Sequence, residues 1–390
     1  MAATERKLAI TCGGFPPLVI GSPVLMANLF RAYHGGMEAV VGWEYGAKLD
    51  PAFTPPCKTH YLRFKPDIVQ RAVQHFPALY FFLIKWFVWL HLKRLRPAAV
   101  FAACTPDGRF LTASLMACRR LKIPLWAHMH DLWLDNAAPG SFEERLAKQW
   151  EAVLFREADK VFCMTEAQQE HYQAKYGRAC ELLPHCVPAD MEIPASVAVR
   201  TKSPGQHKWV LYTGNISSGM NLDALAQFVK CVDLLPPDYK IRMLISCSAR
   251  QCRRMGLYHE RIEYGWVSVA ESQRLIREAD VLFLPLSFKN CSAAEVKTVF
   301  ATKALDYLVS GVPILVFSPP QSYHSRSAKE RGWGCVVEAE DVQLLAKQLQ
   351  ELATDAALRN TVVRGALAEA RRRDPRPWAD RLRQYLEDNR

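Results

Sequence analysis

The chain has 390 residues, of which 50% are hydrophobic and 23% are charged, and its formal net charge is +11. A chain of this composition is not wholly disordered, and its length predicts two domains. The basic residues stand in short clusters without a nucleic-acid-binding motif, so we expect no nucleic-acid partner, whereas an anionic lipid or a phosphorylated substrate would suit the charge.

The cysteines and the N-terminal residues indicate the compartment. Twelve cysteines are scattered without a C-x-x-C pair, a pattern that is typical of buried thiols in a reducing environment. The first residues, MAATERKLAITCGG, lack the apolar stretch of a signal peptide. We therefore expect a cytoplasmic protein.

Short apolar runs alternate with longer periodic segments through the first half of the chain. The predicted elements, in chain order, are strand KLAITCG, a helix over about residues 23–33, strand MEAVVGW, a helix over about residues 81–95, strand AAVFAAC, helix FLTASLMACRRLK, strand IPLWAHMHD, helix SFEERLAKQWEAVLFREA, strand DKVFCMT and helix EAQQEHYQAKYG. In the fourth of these helices Ser141 is the predicted N-cap, with Glu144 three residues on, and Gly177 ends the fifth.

The alternation stops at residues 184–206, a proline-rich segment that is typical of a linker, and then resumes. It continues as strand KWVLYTG, helix NLDALAQFVKCVDLL, strand KIRMLIS, helix ESQRLIREA, strand DVLFLPL, helix TKALDYLVSG, strand PILVF and a mostly helical tail over residues 342–389. Strands that alternate with helices specify parallel sheets covered on both faces. We predict an α/β protein with two doubly wound, Rossmann-like domains that face each other across a cleft.

Ligands of such sheets bind at the carboxyl ends of the strands. In the second domain, YTGNISSGMNLDAL ends a strand at Thr213 and opens a helix near Asn221, and Gly214 and Gly219 would let a ligand approach the backbone. The stretch matches neither G-x-G-x-x-G nor a P-loop, so a dinucleotide site or a P-loop phosphate site is disfavoured.

A second candidate loop, LPLSFKNCSAAEVKTVFATKALDY, is long and leads into a helix with Thr302 as its predicted N-cap. Lys303 and Asp306 then stand about one turn apart. One interpretation is a surface ion pair at spacing i, i+3. The other is a bound nucleotide, with Lys303 at a phosphate and Asp306 accepting hydrogen bonds from the ribose hydroxyls.

In the first domain, WAHMHDLW ends a strand and places His128, His130 and Asp131 close together. An H-x-H pair can hold a metal, but no matching acidic or histidine cluster accompanies it, so we expect no metal. We interpret His128 as a core histidine and His130 as a catalytic or sugar-orienting residue that faces the cleft.

The segment from Phe76 to Pro97, FPALYFFLIKWFVWLHLKRLRP, combines aromatic residues with a basic end. Its apolar run is shorter than the ~20 residues of a membrane-spanning helix. Two interpretations remain open. The segment is either a buried helix of the first domain or a helix that lies on the inner face of a membrane with its aromatic residues in the lipid.

An ordered set of segments resembles family 4 glycosyltransferases of the GT-B fold: GGFPPLVIGSP, HDLW, CMTEAQQEHYQAKYG, LLPHCVP, YTGNISSGMNLDAL, ERIEYGWVSVAESQRLIREADVLFLPL and TKALDYLVSGVPILV. The resemblance implies an acceptor-binding domain over residues 1–190, a linker over 191–207, a nucleotide-sugar-binding domain over 208–372 and a helix over 373–390 that returns to the first domain. It implies retaining hexosyl transfer from a UDP- or GDP-linked donor to a glycan or lipid-linked acceptor, without a metal, in surface polysaccharide or glycolipid synthesis.

The resemblance also implies roles for individual residues. His130 and Asp131 are the predicted catalytic residues. The predicted donor-binding residues are Gly21 and Ser22 in the loop that closes over the phosphates, Gly214 and Asn215 near the diphosphate, Gly265 beside the base, Glu295 near the donor sugar, Thr302 and Lys303 at the phosphates, and Asp306 in place of a ribose-binding glutamate.

The sequence departs from the family pattern in two places. GNISSGMN lacks the Arg and Lys that the family often carries there, and Thr298 occupies the first of two positions that are often acidic. Arg253 or Arg254 would then supplement Lys303. These departures keep two other functions open: a non-catalytic relative that binds a glycan or a partner, and a nucleotide-sugar epimerase on the same two-domain plan.

Overall fold

The computed structural model describes residues 6–19, 21–43, 49–65, 67–105, 107–195, 206–245 and 247–388, and the chain divides into two units. One unit comprises Met1–Ala189 and Pro375–Arg390, and the other comprises Asp190–Asp374. Residues 196–205 of the predicted linker lie outside the described residues, and the assignment of 191–207 as a linker stays a prediction.

The first unit is built on a sheet of seven parallel strands. Its elements up to the end of the sheet are β1 (Leu8–Cys12), α1 (Gly21–Arg31), β2 (Met37–Gly42), β3 (Lys58–Leu62), α2 (Asp67–Gln74), α3 (Pro77–Leu95), β4 (Ala99–Cys104), α4 (Arg109–Leu121), β5 (Leu125–Met129), α5 (Trp133–Asn136), α6 (Phe142–Glu157), β6 (Lys160–Cys163), α7 (Glu166–Tyr176) and β7 (Glu181–Leu182). The strand order is β3-β2-β1-β4-β5-β6-β7. Ile10 of β1 pairs with Ala39 on one side and Phe101 on the other, so the strand order reverses next to β1, where such sheets bind their ligands.

The second unit repeats this plan with six parallel strands. Its elements are β8 (Lys208–Thr213), α8 (Leu222–Cys231), β9 (Tyr239–Leu244), α9 (Ala249–Arg254), β10 (Ile262–Gly265), α10 (Val269–Glu278), β11 (Val281–Pro285), α11 (Ala293–Thr298), α12 (Lys303–Leu308), β12 (Ile314–Phe317), α13 (Tyr323–Arg331), β13 (Cys335–Val337), α14 (Val342–Thr354) and α15 (Ala356–Arg372). The strand order is β10-β9-β8-β11-β12-β13. Val210 of β8 pairs with Ile241 and Val281, so β8 stands at the reversal of this sheet.

The last helix, α16 (Pro375–Asp388), belongs to the first unit. Its buried residues Ala379, Leu382 and Leu386 share a hydrophobic core with Leu8 of β1. The Arg6 side chain donates a hydrogen bond to the Leu386 carbonyl oxygen at 2.7 Å. The predicted helix that returns to the first domain is therefore confirmed.

The capping signals at Ser141 and Gly177 are confirmed. The Ser141 side chain accepts a hydrogen bond from the Glu144 N–H at the start of α6, and Gly177 ends α7 with φ 66°. These caps satisfy backbone groups that a helix end would otherwise leave without a partner.

The strands that the sequence analysis missed, β3, β7, β10 and β13, are the four edge strands of the two sheets. An edge strand has a neighbour on one side only and buries less surface, so it does not need the continuous apolar run that identified the central strands. The helices that were missed, α2, α5, α9, α11 and α13, have nine residues or fewer, which is too short for a clear periodicity.

Helix α3 has one face in the core and one face exposed. The buried residues are Tyr80, Phe81, Ile84, Val88 and Leu92. The exposed apolar residues on it and just before it are Phe76 (64% exposed), Leu79 (49%), Phe82 (59%) and Trp86 (58%). Among the described residues, no single helix is both long enough and apolar enough to cross a membrane. Helices α2 and α3 meet these two criteria only when they are taken together, and they are bent by 111° relative to each other.

Candidate active site

Three histidines lie together beside the carboxyl end of β5. The ring centroids of His128 and His130 are 4.6 Å apart, and those of His130 and His185 are 5.0 Å apart. His128 Nε2 lies 2.9 Å from the Leu183 carbonyl oxygen, and His128 Nδ1 lies 3.1 Å from His130 Nε2. Burial lowers the pKa of His128 to about 4 and lowers the pKa of His130 well below its ordinary value, so both imidazoles are neutral near pH 7.

The structure agrees with His128 as a core histidine and corrects the expectation for His130. His130 was predicted to face a cleft, but its side chain is only 2% exposed. The ring packs against His128 and His185, and Ser22 Oγ, in the first turn of α1, lies 2.9 Å from His130 Nδ1. A role of His130 in catalysis stays a prediction, and in this conformation it would act through Ser22.

The neighbouring candidates of the first unit are closer to the surface. Gly21 begins α1 with φ 35° and is exposed, and Ser22 is partly exposed. Asp131 is partly buried, and its backbone oxygen accepts a hydrogen bond from the Tyr172 hydroxyl at 3.3 Å. The structure therefore joins His130 and Ser22, two residues to which the sequence analysis gave separate roles.

In the second unit, Lys303 reaches from the start of α12 to the end of β8. Its Nζ donates a hydrogen bond to the Tyr212 hydroxyl at 2.8 Å and lies 4.3 Å from the centroid of the Tyr212 ring. The Tyr212 hydroxyl donates to the Asn215 carbonyl oxygen at 2.8 Å and accepts a hydrogen bond from the Asn221 side-chain amide at 3.1 Å. Tyr212 thus fixes the ammonium beside the loop that follows β8.

Gly214 makes room for this ammonium. A Cβ atom at Gly214 would lie 3.0 Å from Lys303 Cε and 3.1 Å from Lys303 Nζ, and the residue has φ 125°, a conformation that side chains disfavour. The Gly214 N–H donates to the Leu244 carbonyl oxygen at 3.0 Å. The Gly214 N–H is therefore engaged in a hydrogen bond with the backbone. What Gly214 contributes to the site is the space that its missing side chain leaves for Lys303.

Lys303 and Asp306 do not form the surface ion pair that one interpretation predicted. Within the described ranges no ion pair joins the two side chains, and neither contributes to the pKa shift of the other. Burial lowers the pKa of Lys303 to about 7, while burial and the Asp190 carboxylate raise the pKa of Asp306 to about 6. Both groups are thus in surroundings that disfavour their charge, which is common at sites that bind charged ligands.

The expectation that Thr302 caps α12 was wrong. Thr302 has the helical angles φ −55° and ψ −36°, and its side chain makes no capping hydrogen bond. The chain enters α12 through a turn in which the Ala304 N–H donates to the Ala301 carbonyl oxygen at 3.0 Å. The start of α12 therefore has no side-chain cap. Its positive charge comes from the Lys303 side chain.

Two further predicted donor-binding residues take part in other hydrogen bonds. Glu295 lies on α11, where its N–H is bonded to Ser292 Oγ at 3.1 Å and burial raises the pKa of its carboxyl group. The Gly265 carbonyl oxygen accepts a hydrogen bond from the Ile245 N–H at 2.8 Å. Within the residues that the structure describes, no hydrogen bond links either one to Lys303, and their roles stay predictions.

Arg253 and Arg254, suggested as a supplement to Lys303, are exposed on α9. The Arg253 guanidinium lies 3.9 Å from the centroid of the Tyr258 ring.

In the described part of the chain, no group of three or more His, Cys, Asp or Glu residues could hold a metal ion.

The sequence analysis missed three residues that organise the second unit's cluster: Tyr212, Asn221 and His324. His324 Nε2 accepts a hydrogen bond from the Ala301 N–H at 2.9 Å and so holds the turn before Lys303. Burial, with contributions from Lys303 and Arg373, lowers the pKa of His324 to about 3. Tyr212 could have been found as the aromatic hydroxyl before the glycine loop, but no sequence pattern places His324 near Ala301.

Comparisons with known proteins agree with this architecture. Residues 28–184 match a family described as glycosyl transferase 4-like domain. A sequence comparison with curated proteins gives no match.

The structural comparisons cover nearly the whole chain. Sucrose-phosphate synthase from Thermosynechococcus elongatus is 13% identical with a TM-score of 0.68, covering 99% of this chain and 100% of that one. Anabaena HepE, solved in complex with UDP and glucose, is 14% identical with a TM-score of 0.65, covering 98% and 100%. A Listeria monocytogenes protein described as a UDP-N-acetylglucosamine 2-epimerase is 14% identical with a TM-score of 0.60, covering 97% and 95%.

At such low identities the structural likeness establishes the fold alone, and the matched segment shows what part of the first unit is similar to. The predicted α/β fold with two Rossmann-like domains is confirmed. The match of residues 28–184 to a glycosyl transferase 4-like domain and the GT-B fold of the chain agree with the resemblance to family 4 glycosyltransferases.

Proposed function

We propose that the chain is a retaining glycosyltransferase that moves a hexose from a UDP- or GDP-linked donor to a glycan or lipid-linked acceptor. The proposal includes a role in surface polysaccharide or glycolipid synthesis. The observation that carries it is the Lys303 ammonium, held by Tyr212 beside the space that Gly214 leaves open. This arrangement suits a ligand with a diphosphate.

The proposed chemistry follows from where charge develops. When the bond between the sugar and the diphosphate breaks, negative charge grows on the leaving oxygen. A fixed ammonium stabilises that charge more in the transition state than in the ground state, and this difference accelerates the reaction. Because burial lowers the pKa of Lys303 to about 7, an arriving diphosphate would also draw a proton onto it. In the proposed reaction this ammonium, rather than a metal, stabilises the leaving diphosphate.

Asp306 gives the proposed site its second contact. A carboxylate only accepts hydrogen bonds, and the two hydroxyls of a ribose are donors. With its pKa raised to about 6, Asp306 is ionised at neutral pH and can accept from them. The diphosphate and the ribose of one nucleotide would thus be recognised from the same helix, α12.

Titration calorimetry with UDP-, GDP- and ADP-sugars tests the proposal. We expect heat from at least one UDP- or GDP-sugar, with an affinity that falls when the sugar nucleotide is replaced by the free sugar. Silence across the whole series would favour the non-catalytic relative that binds a glycan or a partner.

An epimerase is a second candidate because a protein described as a UDP-N-acetylglucosamine 2-epimerase shares the fold. The two activities differ in their need for an acceptor. Proton NMR of UDP-N-acetylglucosamine incubated with the protein alone separates them. We expect no conversion to an epimer, and such a conversion would replace the transferase assignment.

We further propose a cytoplasmic location with peripheral contact to the inner face of a membrane through the segment from Phe76 to Pro97. The exposed face of α3 supports this proposal, because four apolar side chains on the helix and just before it are 49–64% exposed. Lys93, Arg94 and Arg96 follow on the same helix and its end. Aromatic residues in the acyl boundary with basic residues at the headgroups are typical of interfacial helices.

The membrane contact predicts salt-sensitive co-sedimentation with liposomes that contain anionic lipid. Replacing Phe76, Phe82 and Trp86 by serine should reduce the bound fraction several-fold. The matched control replaces Phe87 and Trp89, which are less exposed and pack near His91 and Arg120, and should affect stability more than binding. Binding that neither salt nor the exposed substitutions change would assign α3 to the core alone.

A further inference from the structure

The Asn221 side chain holds the loop that follows β8 in a single arrangement. Asn221 Oδ1 accepts a hydrogen bond from the Ser217 N–H at 3.0 Å, and Asn221 Nδ2 donates to the Tyr212 hydroxyl oxygen and to the Asn215 carbonyl oxygen, both at 3.1 Å. The reverse orientation of the amide would set two acceptors against each other at Asn215 and two donors at Ser217. The side chain is buried, so this arrangement is fixed by the loop itself.

The same contacts fix the direction of the Tyr212 hydroxyl. The Asn215 carbonyl oxygen can only accept, so the Tyr212 proton is donated to it at 2.8 Å. The Tyr212 oxygen accepts from Asn221 Nδ2 with one lone pair and from Lys303 Nζ, at 2.8 Å, with the other. Tyr212 therefore meets Lys303 as an acceptor, whether the amine is charged or neutral.

The arrangement also orients the next backbone amide. The Asn215 carbonyl oxygen receives hydrogen bonds from both Tyr212 and Asn221. The peptide bond that follows is trans, so the Ile216 N–H points away from these two side chains. The Ile216 side chain packs against the core of this unit. Within the part of the chain that the structure describes, no group accepts a hydrogen bond from the Ile216 N–H.

We propose that Asn221 positions the diphosphate site, because it places the Lys303 ammonium through Tyr212 and leaves the Ile216 N–H to donate to a phosphate oxygen. This inference rests on the proposed function and lies within the second unit. The segment GNISSGMN lacks the Arg and Lys that the family often carries, and oriented backbone amides can take their place at an anion. Asn221 is a positioning residue, since it acts through Tyr212 and the loop backbone.

The uncharged state of the Asn221 side chain is part of this role. Asn221 Nδ2 and Lys303 Nζ are bonded to the same Tyr212 oxygen, so a carboxylate at residue 221 would lie close to the amine. It would favour the charged lysine in the absence of a ligand and offset the charge that the diphosphate meets. It would also draw the Tyr212 proton away from the Asn215 carbonyl oxygen, because a carboxylate is the stronger acceptor.

The first test needs no ligand. NMR of the full chain with carbon-13-labelled lysine, assigned with Lys303→Ala, measures the pKa of Lys303. Asn221→Asp should raise this pKa from about 7 to about 8 or higher. The matched control, Asn290→Asp, adds the same charge at an exposed position in the loop after β11 and should leave the pKa unchanged. An equal Lys303 pKa in the wild type and Asn221→Asp would overturn the link through Tyr212.

The second test separates the diphosphate from the rest of the nucleotide. UDP with UMP, and GDP with GMP, are titrated into the wild type, Asn221→Asp and Asn290→Asp. Asn221→Asp should weaken the diphosphate by about 10-fold or more, the usual value of a hydrogen bond to a charged group. It should weaken the monophosphate much less, because the monophosphate lacks the second phosphate. Asn290→Asp should bind like the wild type.

The remaining outcomes decide between the two proposals. Equal weakening of the diphosphate and the monophosphate, or no weakening of either, would overturn the role of Asn221. A wild type that binds none of the four nucleotides would overturn the proposed function instead, and the pKa of Lys303 would then decide whether Asn221 acts on the lysine.

A second variant covers the case in which Asn221→Asp does not fold. Tyr212→Phe keeps the buried ring and removes the hydroxyl that joins Asn221, Asn215 and Lys303. It should reduce the preference for the diphosphate over the monophosphate by about 3- to 10-fold. An unchanged preference in Tyr212→Phe would overturn the proposal.

Discussion

Lys303→Ala should lower kcat/KM for sugar transfer by about 100-fold, the usual effect of removing one preorganised group from a developing negative charge. The fold should tolerate the change. The Tyr212 hydroxyl keeps its bonds to Asn215 and Asn221, so we expect the free energy of unfolding to fall by no more than about 1 kcal/mol.

The sign of the pKa shift supports that expectation for stability. Folding lowers the pKa of Lys303 to about 7, so between pH 7 and the ordinary lysine value the unfolded chain binds the proton more strongly. Removing the lysine therefore removes a group that disfavours the folded state in this range.

Proton uptake on donor binding shows whether Lys303 is the group that binds the diphosphate. At pH 8, donor binding should draw a proton onto Lys303, which appears as a difference between binding heats measured in two buffers with different ionisation enthalpies. Lys303→Ala should lose this difference. Lys297→Ala, at an exposed position on the preceding helix α11, should keep both the proton uptake and the activity. A fully active Lys303→Ala would show that Lys303 does not hold the diphosphate.

Lys303 also shows how far the sequence determines the site. The spacing of Lys303 and Asp306 and their place after a long loop could be read directly, as could the central strands on which the second unit is built. Which of the two interpretations applies depends on Tyr212, 91 positions away in the sequence. Contacts at such separation arise from the pairing of β8 with β11 and the return of the chain through α12, and no local pattern encodes them.

In the first unit, too, the sequence predicts the local contacts of the site but not the contacts between distant segments. Alternation along β5 placed His128 and His130 on one face, and the structure agrees that they touch. The hydrogen bond between Ser22 and His130 depends on how α1 packs against the end of the sheet, which is a matter of tertiary packing. Local signals such as the Ser141 cap were predictable because all their partners lie within one turn.

Gly214→Ala should inactivate the protein nearly as much as Lys303→Ala does, although residue 214 loses no functional group. An alanine at φ 125° is strained by about 1–3 kcal/mol. Its Cβ would also lie 3.0 Å from Lys303 Cε, so the end of the lysine must move away from Tyr212. We expect lower stability, measured by chemical denaturation, together with a loss of kcat/KM.

The control separates strain from contact. Gly256 has φ 69°, and a Cβ atom there would meet nothing within 4 Å. Gly256→Ala should therefore cost about 1 kcal/mol of stability through backbone strain alone and leave donor turnover unchanged. If Gly256→Ala lost as much activity as Gly214→Ala, the effect of Gly214→Ala would come from its reduced stability and not from the displacement of Lys303.

The double variant distinguishes the mechanism. If Gly214→Ala acts by displacing the Lys303 ammonium, the loss is already complete once the ammonium is absent. Gly214→Ala combined with Lys303→Ala should then be no less active than Lys303→Ala alone, while the strain at residue 214 still lowers the stability. Losses that multiply would mean that Gly214 contributes to transfer by a route independent of Lys303, through the shape of the loop that follows β8.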